Sequence, residues 1–409
     1  MSATFRSLRV RNFRLFVVGQ LVSQVGNWMT LVAQTLLVLR ITDNGVSLGA
    51  VAACQFGPLL LFGSWSGLLA DRLDKRRLLL GVQVFAMAQS FALAALALAD
   101  RPSLLGLYVV ALAGGFATAL DNPARRAFVV EMVPDDHLQN AVSLNSALMT
   151  SSRVVGPALA GLLVTTLGFS WCFALDGISY VAVLAALWRM DPRALHPSPV
   201  AERGRGQIRA GYRYVRSIPE LWVPLLMTAL IGTLAFNFTV VVPLFVRRSL
   251  HGGDTAFTLL YSVISVGSLV GALVAARRTS VTRAHVCVSA AGCGVSLLLL
   301  GAAPTLAWAF PVGVVVGLTS IAFLTTATTI FQLRADPAMR GRVLALQAIV
   351  FLGSTPVGGP LLGLVCEAFS PRAGLAVGGV AALLAAALGG VAARRGSVAP
   401  RRPTDLQPV

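Results

Sequence analysis

The sequence predicts an all-α integral membrane protein, its twelve transmembrane helices arranged as two pseudo-symmetric six-helix bundles. Three observations carry that prediction. The 409 residues are 56% hydrophobic and only 12% charged, against about a quarter charged in an ordinary soluble domain. Apolar residues fall in runs of roughly 20, the length at which a helix rising ~1.5 Å per residue crosses a ~30 Å hydrocarbon layer. The two halves also repeat. Gly63-Ser-x-x-Gly67-x-Leu69 recurs as Gly267-Ser-x-x-Gly271-x-Leu273, an offset of 204, and Pro134, Gly156 and Pro157 recur as Pro337, Gly359 and Pro360, an offset of 203. Chance matches would not share an offset near half the chain length.

Basic residues set the orientation. With the amino terminus inside, 27 of the 33 Lys and Arg fall on the inner side; Arg40, Arg101, Arg247, Arg248 and Arg372 fall opposite, and Arg153 lies within a span. Such a bias places both termini in the cytoplasm. The net charge of +17 would suggest nucleic acid in a soluble protein, but topology and anionic membrane lipids account for it, and no nucleic-acid partner is expected. Heavy use of Arg, Ala and Gly suggests a high-GC bacterium, so the expected location is the bacterial cytoplasmic (inner) membrane.

In order, residues 1–14 form a basic cytoplasmic arm, 15–188 the first six-helix bundle, 189–220 a cytoplasmic linker, 221–393 the second bundle and 394–409 a Pro- and Arg-rich tail expected to be disordered. Span one carries Gln20, Gln24, Asn27, Trp28 and Gln34 on one helical side, a polar stripe expected to face a cavity. Span two ends in glycines four apart, which admit a close neighbour. Span four contains Asp121-Asn-Pro-Ala-Arg-Arg126, where Pro123 is expected to kink or end the helix. Span five carries Arg153, then Gly156-Pro157-Ala-Leu-Ala-Gly161, small residues and a proline suited to packing and bending, as are Gly359 and Pro360. Spans six to twelve follow, with a short amphipathic helix expected in the linker near 208–217.

Between spans two and three stands Gly67-Leu-Leu-Ala-Asp71-Arg72-Leu-Asp74-Lys75-Arg76-Arg77. This block resembles the Gly-x-x-x-Asp-Arg-x-Gly-Arg-Arg signature of the major facilitator superfamily; Asp74 replaces the usual glycine. Asn12-Phe-Arg-Leu-Phe, Gly19-Gln20-Leu-Val-Ser23 and Gly26-Asn27-Trp28 resemble the first helix of the drug:proton antiporter branch that contains macrolide and siderophore (enterobactin-type) exporters. Gly156 to Gly161 resembles the end of that branch's fifth-helix motif. The resemblance implies two bundles rocking about a central site. It also implies a conformational latch at Gly67, Asp71, Arg72, Lys75 and Arg76, with Glu131 or Asp121 as partner, holding the halves together when the cavity opens outwards.

Catalytic sets are missing: the histidines sit at loops or helix ends, and nothing resembles a nucleotide-binding loop. The five cysteines show no metal-ligand spacing. An enzyme and a cofactor are therefore not expected. Intramembrane charges cost about 2.5–3.5 kcal/mol each and usually have partners; Asp121 and Arg153, at similar depth in neighbouring spans, are expected to pair, with Asp121 carrying a proton. Asp176 and Glu367 are weaker candidates. The family's geometry assembles a cavity wall from Gln24, Asn27, Trp28, Phe236, Asn237, Phe238, Thr325, Thr328 and Gln332. Its aromatic, weakly charged character suits a bulky amphipathic or lipophilic small molecule. The expectation is a proton-coupled efflux transporter acting as a monomer. Alternatives are a dedicated exporter of an endogenous metabolite such as a siderophore, a lipid transporter, or a non-transporting scaffold or sensor.

Overall fold

The computed structural model describes residues 3–196, 207–276, 281–336 and 339–396, and among these there is no strand. After a 3-10 turn the helices are α1 (Arg11–Thr42), α2 (Gly45–Arg72), α3 (Lys75–Leu98), α4 (Leu104–Met132), α5 (Asp135–Thr166), α6 (Phe169–Arg189), α7 (Gln207–Ser217) and α8 (Pro219–Ala235). They continue with α9 (Phe238–Leu244), α10 (Asp254–Ala276), α11 (Arg283–Ala302), α12 (Leu306–Arg334), α13 (Arg340–Leu352), α14 (Thr355–Ala368) and α15 (Pro371–Gly396). Twelve segments among the described residues are long and apolar enough to cross a membrane. The expected tail beyond Gly396 and linker residues 197–206 lie outside the described residues; α7 forms where the amphipathic linker helix was expected.

Tight turns join these helices because their first amides are capped from the sequence itself. Asn44 Oδ1 accepts from Val46 N (2.8 Å) and Ser47 N (3.2 Å) at the start of α2, and Ser103 Oγ from Gly106 N (3.2 Å) at α4. Asp74 Oδ1 accepts from Arg77 N (2.7 Å). The residue that departs from the family signature is thus the N-cap of α3, a position aspartate favours by about 1 kcal/mol over a non-capping residue.

Pro123 lies inside α4, which continues to Met132, and Arg125, counted among the inner-side charges, is a buried residue of that helix. Spans seven and eleven, expected unbroken, are interrupted: α8 and α9 part at Phe236–Asn237, and α13 and α14 at Gly353–Ser354. Asn237 leaves helical geometry (φ −90°, ψ 50°), and its Nδ2 donates to Thr233 O (2.7 Å), supplying the donor that the broken turn lost.

In the first half α1 packs on α5 and α6, α2 on α4, and α3 on α4 and α6; in the second, α10 packs on α12 and α11 on α12 and α15. Between halves, α2 lies along α14 and α5 along α10, both seams lined by glycine. A Cβ on Gly49 would stand 2.6 Å from Gly359 O, and one on Gly45 2.8 Å from Gly363 O. A Cβ on Gly161 would meet Thr258. Charges finish this end: Arg248 Nη2 to Glu367 Oε1 (3.0 Å), Arg247 Nε to Asp43 Oδ1 (3.5 Å), and Gly45 N donating to Glu367 Oε1 (2.5 Å). At this face Arg247 and Arg248 of the second half reach Leu39 and Asp43 of the first, and Gly45 N of the first reaches Glu367 of the second, all opposite the basic face.

Candidate functional site

At the basic face, Lys75 Nζ pairs with Glu131 Oε1 at 2.7 Å with both side chains nearly buried. Arg76 donates from Nε to Leu187 O (2.7 Å) and from Nη2 to Trp188 O (3.0 Å). These contacts tie the start of α3 to the ends of α4 and α6, all helices of one bundle. Here the expectation is corrected: the Lys75–Glu131 pair does not join the halves, because both partners belong to the first. Arg72 is exposed, and the Asp71 side chain lies outside the described residues.

Deeper, Asp121 pairs not with Arg153 but with Arg125, one turn further along α4. Two residues four apart on one helix already face each other, so Arg125, a partner the sequence analysis did not weigh, reaches the carboxylate first. Gln83 Nε2 donates to Asp121 Oδ1 (2.8 Å), and Arg125 Nη1 reaches Met149 Sδ (3.9 Å). With its amide turned over, Gln24 accepts from Arg125 Nη2 at 3.0 Å. Asp121, Arg125, Gln83, Gln20 and Gln24 are all buried, a polar cluster drawn from α1, α3 and α4.

The polar stripe of α1 therefore divides among neighbours. Gln34 Oε1 accepts from Gln55 Nε2 (2.7 Å), and Asn27 Oδ1 from the Tyr180 hydroxyl (2.7 Å). Thr30 Oγ1 donates to Asp176 Oδ2 (2.7 Å), which also accepts from Ser90 Oγ (2.8 Å). Asp176 is 1% exposed, held inside the first bundle by the hydroxyls of Thr30 and Ser90, partners that the sequence analysis did not name.

Arg153 stands apart from these networks. Its guanidinium carbon lies 5.2 Å from the centroid of the Trp28 ring, and its buried Nε has no hydrogen-bond partner among the described residues. Gly156, one turn on, makes this approach possible: a Cβ there would be 2.9 Å from Val25 O and would strike the Trp28 side chain. Across the seam, the buried Tyr261 of α10 stands beside the same guanidinium.

The expected cavity wall is only partly assembled. Trp28, Asn27, Phe236, Thr325 and Thr328 are partly exposed and Gln332 is exposed. Gln24, Asn237 and Phe238 are buried: Gln24 turns to Arg125, Asn237 bonds back to Thr233 at the break in span seven, and Asn237 and Phe238 line a small cavity with Leu297 and Leu362. That break faces the one in span eleven. Phe236 and Phe351 stack edge to face with centroids 5.1 Å apart, and a Cβ on Gly232 would lie 2.7 Å from Ser354 Oγ. Pro157 and Pro360 lie within α5 and α14 beside the close-packed Gly156 and Gly359.

A family profile described as transmembrane secretion effector matches residues 2–399. Similar characterised proteins include macrolide efflux protein A of Streptococcus pyogenes, 22% identical over 83% of this chain and 85% of that protein. The enterobactin exporter of Citrobacter koseri is 24% identical over 90% and 88%. The staphyloferrin A transporter of Staphylococcus aureus is 24% identical over 61% of this chain and 63% of its own length. Among solved structures, a bacterial homolog of the human lysosomal transporter Spinster, inward-facing and unoccupied, matches with a TM-score of 0.75 at 15% identity, covering 99% of this chain and all of that one. At that identity the likeness is one of fold.

Proposed function

Since the chain belongs to the transmembrane secretion effector family of major facilitator transporters, we propose that it exports a bulky amphipathic small molecule from the bacterial cytoplasm in exchange for protons. The observation that carries this reading is the asymmetry between the two ends. Glycine seams, the pairs of Arg247 and Arg248 with Asp43 and the Gly45–Glu367 hydrogen bond close one face, whereas the Lys75–Glu131 pair at the other lies within the first half. The excess of Lys and Arg there makes that face cytoplasmic, with both termini inside the inner membrane. A bundle pair closed on one side, with a matching internal repeat, is built to rock between two arrangements. Export and drug resistance fit the names of the macrolide and enterobactin relatives.

Protons enter the reading through Asp121. It is the carboxylate of a buried ion pair, and taking up a proton there would release Arg125 to rearrange. The charged turn supplies the other moving part. Lys75, Glu131 and Arg76 hold the Gly67–Arg72 end of α2 rigidly on the first bundle, so that Asp71 and Arg72 can dock on the start of α13 when the cytoplasmic face closes. The protein acts as a monomer with lipid around its exposed apolar surface.

Purified protein in liposomes, challenged with a panel of amphipathic dyes and antibiotics under an imposed pH difference, should move at least one compound against its gradient. Collapse of the pH difference should stop it. A panel unmoved by wild-type protein in either direction would refute export, and flux indifferent to the pH difference would refute proton coupling.

A further inference from the structure

We infer that Arg153 is the recognition residue for an acidic group on the exported molecule, so that the substrate is an organic anion with a flat apolar body. The inference rests on the export reading and narrows it to a class of compound. Its ground is the isolation of this cation. Asp121 is taken by Arg125, and Asp176 lies in a nest of hydroxyls from Thr30 and Ser90. No carboxylate is within ion-pair distance of Arg153 among the described residues. A guanidinium kept within the span without a protein counter-ion, with an unpaired Nε, is poised for a counter-ion that arrives from outside the chain.

The surroundings say what else that molecule carries. Guanidinium presents a planar fork that matches a carboxylate through two parallel hydrogen bonds. Here its plane is also backed by the face of Trp28, an arrangement that favours the cation electrostatically and leaves an aromatic surface beside the charge. A carboxylate held at the fork would bring an adjoining flat, apolar group onto that surface. Gly156 fixes the spacing, since any side chain there would push Trp28 away.

The position also links binding to movement. Arg153 and Trp28 belong to the first half and Tyr261 to the second, so an anion at the guanidinium sits on the α5–α10 seam and can accept from the Tyr261 hydroxyl as well. Its arrival would alter a contact between halves, which is what a transported molecule must do to shift the balance between two arrangements.

The test uses purified full-length protein and three aromatic carboxylates, 1-pyrenebutyrate, 9-anthroate and 2-naphthoate, each with its methyl ester and with a quaternary ammonium analogue of the same ring. Binding is read by titration, and flux in liposomes is read separately. Wild-type protein should bind at least one carboxylate at least tenfold more tightly than its ester or its ammonium analogue. Arg153→Gln should erase that preference, Arg153→Lys should keep a reduced part of it, and Trp28→Leu should weaken carboxylate and ester alike. Equal binding of acid, ester and ammonium forms by wild-type protein would overturn the inference without any variant, and so would a preference that survives in folded Arg153→Gln protein. The two readings separate cleanly. Esters or ammonium forms exported as well as acids would sink the anion site and leave export standing; tight, Arg153-dependent binding of acids with no flux of any compound would do the reverse.

Discussion

Gly49→Leu should cut transport at least tenfold while leaving the protein folded and inserted. Gly49 lies against α14 so closely that a single added carbon would stand 2.6 Å from both Gly359 O and Pro360 Cα. The four carbons of leucine cannot fit unless α2 and α14 separate. Forcing extra carbon into a packed contact costs about 1–3 kcal/mol, and each ~1.4 kcal/mol changes an equilibrium tenfold. Because this contact exists when the outer face is closed, the cost falls on that arrangement and holds the protein in the other. Gly57→Leu is the matched control, on the same helix with nothing within 4 Å of its Cβ, and should stay within about twofold of wild type by the same reasoning on overpacking. Liposome flux measures both. Normal transport by Gly49→Leu would mean that the seam does not need to close.

Arg125→Met should produce the largest loss of stability of any single substitution in the first bundle. It leaves the Asp121 carboxylate buried with Gln83 as its remaining named partner, and breaking a buried pair from one side typically costs about 3–5 kcal/mol. The double variant Asp121→Asn/Arg125→Met removes both charges and should recover most of that loss, the signature of two residues that interact directly. Thermal unfolding in detergent reads the stability. Additive effects of the two substitutions would refute the direct pairing. In flux measurements Asp121→Asn should lose its response to an imposed pH difference, since the amide cannot exchange a proton. An unchanged response would remove Asp121 from the coupling path.

The sequence made the architecture legible because lipid imposes a simple rule: each span must satisfy its own backbone, so length and hydropathy locate helices. The repeat at Gly156 and Gly359 likewise pointed to two matched halves. What escaped were features that depend on neighbours. Pro123 was expected to kink or end its helix, and α4 continues through it, as spans often do when adjacent groups compensate for the lost hydrogen bond. Spans seven and eleven read as continuous, although each is interrupted at a position where the other is interrupted too; no local pattern announces that Phe236 will meet Phe351. Asp121 and Arg125 were four apart in plain view, but Asp121 was matched by depth to Arg153 on the neighbouring span instead of to the arginine one turn along its own helix.

The charged turn shows the same division. Asp74 in place of glycine looked like a weakness in the motif, and the structure makes it a cap that starts α3. The pairing of Lys75 with Glu131 was foreseen as one possible contact, but its consequence was not, since only the bundle's packing reveals that α3 and α4 belong to the same half.

Alternating access is tested most directly by two distances measured in one lipid sample. In protein lacking the two partly exposed cysteines, Cys54 and Cys287, spin labels on Val46→Cys and Leu364→Cys would report the outer ends of α2 and α14, both sites being exposed. Labels on Arg72→Cys and Gly341→Cys would report the inner ends of α2 and of α13, the inner part of the same span eleven. Imposing a pH difference with an exported compound present should lengthen the outer distance and shorten the inner one in the same fraction of molecules. Two distances that stay fixed, or that lengthen together, would contradict a pair of rigid bundles rocking about a central site.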